Sequence, residues 1–207
     1  MLGNVVAAKR GKTTPAKGRR KKSIDEPTGN HKITDYFPVR RSSRKTTDQI
    51  KKETSLATED AIITGSGEKD LKIIQIPTKG RGVVAARIFA KNEYVVEYKG
   101  ELIDRVAAKK REEEYSQDSS VGCYMYYFDY KGKHYCVDAT KESPYLGRLV
   151  NHSARKPNLK TKVIEIKSIP HLVLIAKRLI EVDEELLYDY GDRTRDAVEN
   201  NPWLTES

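Results

Sequence analysis

Short apolar runs broken by glycine turns occupy most of residues 71–188, and this pattern narrows the possible folds more than any other feature. Leu71–Ile76 alternates as a strand does. Lys79-Gly80-Arg81-Gly82 reads as a tight turn leading into a strand near Val83–Ala86. Tyr94–Tyr98 reads as a further strand, and Tyr124–Tyr130 with Lys133–Asp138 reads as a hairpin around Lys131-Gly132. The longest apolar run, Leu172–Ala176, predicts a buried strand, and Glu185–Tyr188 closes the series. Helical signals are confined to residues 46–64, ended by Gly65 and Gly67, to Asp104–Tyr115 with Asp104 as N-cap, and to a short turn over Ala197–Trp203. Many short strands with few, short helices predict a mainly β domain.

Charge divides the chain. Residues 1–47 hold 13 Lys/Arg against Asp25, Glu26 and Asp35, a net +10 of the chain's +9, so the remainder is close to neutral at −1. A basic tail with few large apolar groups cannot bury enough surface to fold alone. It suits salt-sensitive contact with DNA, and Arg19–Lys22 suits nuclear import. Two cysteines, Cys123 and Cys136, make neither a disulfide framework nor a zinc site. No apolar run approaches the roughly 20 residues of a membrane span, so no membrane partner is expected.

Chemistry is signalled by two late segments. In Glu185-Leu186-Leu187-Tyr188-Asp189-Tyr190-Gly191, period two puts Leu186, Tyr188 and Tyr190 on one side of an extended stretch. By themselves these tyrosines read as cross-strand packing. Upstream lies Arg148-Leu149-Val150-Asn151-His152-Ser153, small polar groups straight after an apolar pair. Together with Lys79-Gly80-Arg81-Gly82, Val96-Glu97-Tyr98 and Gly122-Cys123-Tyr124-Met125-Tyr126-Tyr127, in this order, they resemble the motifs of SET-domain protein lysine methyltransferases, of the type that monomethylates lysine 20 of histone H4.

That resemblance implies a SET fold of small curved sheets with a pseudoknot-like C-terminal threading, the NHS segment lying beside the YDYG segment. It implies S-adenosylmethionine as co-substrate, with no metal. Tyr98, Tyr188 and Tyr190 are expected at the catalytic end of a substrate-lysine channel walled by Cys123, with Tyr190 nearest the transferring methyl and Tyr188 at the product-size switch. Lys79, Gly80, Arg81, Tyr124, Arg148, Asn151, His152 and Trp203 are expected around the cofactor. Standing alone, KGRG is an ordinary turn more often than a ligand loop, and an Asn-His pair is usually structural. His134 and His171, in apolar strands, read as satisfied core residues.

Four segments follow: a disordered basic tail over residues 1–45, a helical flank over 46–68, the SET domain over 69–191 and a zinc-free flank over 192–207. Within the tail, Ile33, Tyr36 and Phe37 fall on one face of a single helical turn that Pro38 ends. Residues 30–41 resemble the short motif that docks on the PCNA sliding clamp, in the variant that recruits a ubiquitin ligase, with Asn30 where that motif usually has Gln. The expected protein is a monomeric nuclear and chromosomal enzyme whose partners are the histone H4 tail and the nucleosome. Two alternatives remain: a methyltransferase for another histone or non-histone lysine, and a non-catalytic chromatin adaptor.

Overall fold

The computed structural model describes residues 44–77, 79–118, 122, 124–191 and 205, and the chain divides into Met1–Arg44 and Lys45–Ser207. The expectations for the basic tail, for its motif at 30–41 and for a turn at Ala197–Trp203 lie outside the described residues.

Helix α1 spans Thr47–Thr64. It starts at a capping box in which the Gln49 amide donates to Thr46 Oγ1 (3.2 Å) and the Thr46 amide donates to Gln49 Oε1 (2.9 Å). It ends at Gly65, whose φ of 65° suits a residue without Cβ. Only Ile62 of this helix is buried, so α1 is held at its C-terminal end.

Among the described residues, the strands form four small sheets. Strands β1 (Leu71–Ile76) and β2 (Gly80–Ala85) make an antiparallel ribbon around the glycine turn. Strand β9 (Ile169–Ala176) lies between β3 (Tyr94–Glu97) and β8 (Leu159–Ile166), antiparallel to both. Strand β6 (Lys133–Asp138) lies between β4 (Glu101–Asp104) and β5 (Met125–Tyr130). Two-residue strands β7 (Asn151–His152) and β10 (Leu187–Tyr188) pair in parallel, which places the NHS segment beside the YDYG segment as the resemblance implied. Helix α2 (Arg105–Ser116) begins at Asp104, whose carboxylate accepts the Ala107 amide at 2.8 Å.

The apolar run of β9 has a specific cause. Leu172, Leu174 and Ala176 enter the main core with Val83, Phe89, Val96, Ile180 and Leu186, while Val173 and Ile175 face a second cluster with Ile62 and Ile166. A central strand covered on both faces cannot alternate with polar residues. Each large side chain buried there contributes about 1.5–3 kcal/mol as an upper estimate. Sequence reading missed β4, β7 and β8. Strand β8 carries Lys160 and Lys162 on its exposed side and reads as polar until β9 pairs with it.

A 3-10 turn over Ser66–Asp70 ties the helical flank to the domain. Glu68 Oε2 accepts the Leu146 amide at 2.8 Å. Burial raises the Glu68 carboxyl from its ordinary 4.5 to about 7, and nearby Glu97 adds to the rise, against the Leu146 hydrogen bond and Lys99. A carboxyl with a raised folded-state pKa binds more protons folded than unfolded between those values. Stability from this group is therefore fully present below pH 4.5 and falls as pH rises towards 7. Glu68→Gln keeps the acceptor but cannot ionise. Urea midpoints at pH 5 and pH 7.5 should show a smaller decline with pH in the variant than in the wild type, and parallel declines would discount the burial of this carboxyl.

Candidate active site

Four tyrosines from three separate stretches of chain meet at one wall. Tyr98 follows β3, Tyr126 lies on β5, Tyr188 on β10, and Tyr190 just beyond. The Tyr98 ring centroid lies 5.7 Å from that of Tyr126 and 6.5 Å from that of Tyr188, and Tyr126 and Tyr188 are 6.1 Å apart. Tyr190 stands 4.7 Å from Tyr188 and 4.9 Å from the imidazole of His152. These are tilted and edge-on contacts, the arrangement the ring quadrupole favours.

Burial keeps two of the phenols, those of Tyr188 and Tyr126, neutral. Burial raises the Tyr188 phenol well above its ordinary pKa, and the neighbouring Tyr98, Tyr190 and Tyr126 push the same way. The Tyr126 phenol is raised as well, chiefly by burial, with its bond to Thr161 Oγ1 (3.3 Å) opposing. The wall thus offers ring faces and hydroxyl oxygens without negative charge. Such a wall sets no anion beside a buried amine that would hold it in its charged form.

The hydroxyls are aimed by backbone. Tyr98 Oη donates to the Tyr124 carbonyl at 3.0 Å, and the same carbonyl accepts the Ala139 amide at 3.0 Å. Tyr190 Oη donates to the Val150 carbonyl at 3.0 Å, while the Tyr190 amide donates to His152 Nδ1 at 3.1 Å. Because Nδ1 accepts, the neutral imidazole carries its proton on Nε2. Parallel pairing of Leu187 with Asn151 and Tyr188 with His152 brings these groups into register.

A polar mouth lies where β2, β7 and the approach to β10 meet. Asn151 Nδ2 donates to the Arg81 carbonyl (3.3 Å) and to Glu185 Oε1 (3.2 Å), and Lys79 Nζ reaches both Glu185 oxygens at 3.4 Å. A Cβ on Gly82 would come within 2.6 Å of Ile76 Cδ1 and 2.8 Å of Asn151 Nδ2, so both side-chain ends would have to move aside. Arg148 is buried and lays its guanidinium 3.9 Å from the Tyr124 ring centroid. Its Nε donates to the Ala139 carbonyl (2.6 Å) and its Nη2 to the Thr140 carbonyl (3.1 Å). Its Nη1 lies 2.9 Å from Glu142 Oε1, an ionic contact without hydrogen-bond alignment. Glu142 also accepts hydrogen bonds from Arg81, and these, with the Arg148 guanidinium beside it, lower its carboxyl to about 2.

Of the residues expected at the site, Tyr98, Tyr188, Tyr190 and His152 gather at the wall, Lys79, Gly80, Arg81 and Asn151 at the mouth, and Tyr124 and Arg148 stack together between β5 and the 3-10 turn over Gly147–Leu149. Cys123 and Trp203 lie outside the described residues. Tyr126 was missed as a wall residue, although alternation with Phe128 on β5 was a usable signal. Glu142 and Glu185 were missed too, because partners far along the chain give them their place. His134 corrects an expectation: it is exposed on the hairpin and bonded to Asp129, not in the core. His171 is half-buried against Glu97 at 2.6 Å.

Comparison with known proteins places this arrangement. The SET domain family matches residues 80–191. The chain is 47% identical over 199 residues to the histone-lysine N-methyltransferase set-1 of Caenorhabditis elegans, covering 95% of this chain and 82% of that protein. It is 51% identical over 185 residues to the N-lysine methyltransferase KMT5A-A of Xenopus laevis, covering 89% of this chain and 55% of that one. Against the histone-lysine N-methyltransferase Set8 of Drosophila melanogaster it is 49% identical over 190 residues, 92% of this chain but 27% of the fly protein. It thus spans about half the length of the frog relative and a smaller share of the fly one. A crystal structure of CpSET8 from Cryptosporidium superposes with a TM-score of 0.64 at 39% identity, over 73% of this chain and 71% of that one. The chain therefore belongs to the SET-domain family and, within it, to the KMT5A/Set8 group of lysine methyltransferases.

Proposed function

We propose that the protein transfers one methyl from S-adenosylmethionine to lysine 20 of histone H4 in chromatin. The observation that carries this is the neutral tyrosine wall meeting His152 where β7 and β10 pair. S-adenosylmethionine supplies an electrophilic methyl on a sulfonium centre. The residues present suit such a molecule. A Cβ on Gly80 would meet nothing within 4 Å, so the main chain of the 79–81 turn is open to a ligand, and Lys79 adds an ammonium able to pair with a carboxylate. Lys79, Gly80, Arg81, Tyr124, Arg148, Asn151, His152 and Trp203 are proposed to hold it, with no metal.

The chain's own task is to present a neutral amine. A free lysine has a pKa of about 10.4, so roughly one amine in a thousand is neutral near pH 7. An apolar channel disfavours the ammonium, and Tyr98, Tyr188 and Tyr190 can hold the amine without recharging it. Positioning then carries most of the rate, and no general acid is needed because the leaving thioether is neutral. Cys123 is proposed on the channel wall.

The segments over residues 1–45, 46–68, 69–191 and 192–207 are proposed as tail, flank, catalytic domain and C-terminal flank. The tail is proposed to contact DNA, and its residues 30–41 to dock on PCNA with a ubiquitin ligase. The protein is proposed to act as a monomer in the nucleus, on chromosomes.

Mass spectrometry of recombinant nucleosomes after reaction tests the whole reading. One added methyl on lysine 20 of histone H4 is expected. Methylation confined to another lysine would reassign the substrate, and no methylation would retire the activity. Tyr188 lies at the proposed product-size position. Tyr188→Phe, which frees space in the pocket, should yield dimethyl-lysine in the same assay, and monomethyl product alone would remove Tyr188 from that role.

A further inference from the structure

Asn158 is among the most buried polar residues of the domain, with 1% of its surface exposed, yet no candidate role so far uses it. All its polar groups are engaged. Its amide donates to the Leu187 carbonyl (3.0 Å), and its carbonyl accepts the Lys177 amide (2.8 Å). Its Oδ1 accepts the Leu187 amide (2.8 Å), and its Nδ2 donates to the Glu185 carbonyl (2.7 Å) and to Glu184 Oε1 (2.9 Å). The donors and acceptors around it also fix which way its amide is turned. Glu184 is in turn held by Arg178 and by the Glu181 amide.

Four of these five bonds end on residues 184–187, immediately before Tyr188. This matters because the ladder that should hold Tyr188 is only two residues long. So short a parallel pair specifies register weakly, and a slip of one residue would exchange Tyr188 for a neighbour pointing the other way. Asn158 grips Leu187 on both its N–H and its C=O, which blocks that slip.

We infer that Asn158 is a positioning residue for the methyl transfer: it sets the register of Tyr188 and Tyr190 against His152, and through it the pocket size that limits the product to one methyl. This rests on the proposed activity. Buried behind the strand, Asn158 touches no reacting group itself.

The test uses the full chain and nucleosomes, with wild type, Asn158→Ala and Asn158→Asp run in parallel. Asn158→Asp keeps an acceptor for the Leu187 amide, loses both Nδ2 donors and sets a second carboxylate beside Glu184. A loosened register should lower kcat at least about tenfold with KM for S-adenosylmethionine changed less than about threefold. The deciding readout is the ratio of dimethyl to monomethyl product, which the fraction of folded enzyme cannot alter. Dimethyl-lysine from either variant supports the inference, and monomethyl product alone from both overturns it. Should neither variant fold, amide exchange in the wild type decides. A Leu187 amide at least about a hundredfold slower than that of exposed Val182 supports the grip, and equal rates overturn it. Wild type that transfers no methyl would retire the activity and this inference with it, a result distinct from active wild type with unchanged variants.

Discussion

Tyr190→Phe should lower methyl transfer by about a hundredfold or more while leaving the domain folded. The phenol proton is engaged by the Val150 carbonyl at 3.0 Å, so towards anything else the oxygen acts as an acceptor. Phenylalanine keeps the ring and its contacts to Tyr188 and His152, and removes only that oxygen. Loss of one neutral hydrogen bond costs about 1 kcal/mol of stability, more where the abandoned carbonyl stays dry. A single oriented polar group at a reaction centre is worth about 10²–10³ in rate. The two magnitudes separate the readings. Turnover on nucleosomes should collapse while the melting temperature shifts by a few degrees. Turnover within about fivefold of wild type would place Tyr190 in a packing role and move the reaction elsewhere along the wall.

Gly147→Ala should unfold the domain or cost it about 3 kcal/mol or more. A Cβ at this position would lie 2.1 Å from the Glu97 carbonyl oxygen, 2.9 Å from its carbon and 3.2 Å from Tyr98 Cα. All three are main-chain atoms at the end of β3, so no side chain can rotate away and the two segments must part. Overpacking typically costs about 1–3 kcal/mol where side chains can yield, and here none can. The turn carrying Arg148 and the strand that leads into Tyr98 would separate, so activity should fall with stability. Gly132→Ala is the control. Its φ of 74° costs a side chain about 1–2 kcal/mol, but nothing lies within 4 Å to clash. Denaturant midpoints of the two variants give the comparison. A Gly147→Ala loss no larger than that of Gly132→Ala would deny the close crossing of β3 and the 147–149 turn.

Local chemistry explains which parts of this molecule could be read in advance. The hairpin around Lys131-Gly132 was legible because alternation and a turn coincide within a dozen residues, and the cap at Asp104 because it bonds three residues away. Helix α1 carries its own start and stop signals in Thr46 and Gly65. Strand β8 was not legible, since its lysines conceal a ladder that only β9 supplies. The wall was partly legible. Tyr98, Tyr188 and Tyr190 came with recognisable motifs, whereas Tyr126 matters only through rings that approach it from distant parts of the chain. Asn158 lies beyond any local pattern, because its importance consists of five bonds to residues brought near by folding.

The parallel pairing of Leu187–Tyr188 with Asn151–His152 also sets the order of events as the protein is made. The ribbon of β1 and β2 and the hairpin of β5 and β6 can close from neighbouring residues soon after synthesis, but a contact between such distant segments forms slowly and late. A nascent chain that has exposed the NHS segment holds the turn and the first tyrosines, yet still lacks Glu185 of the mouth and two of the four rings of the wall. Catalytic competence therefore arrives abruptly, when the final strand docks, and an incomplete chain stays silent towards lysine.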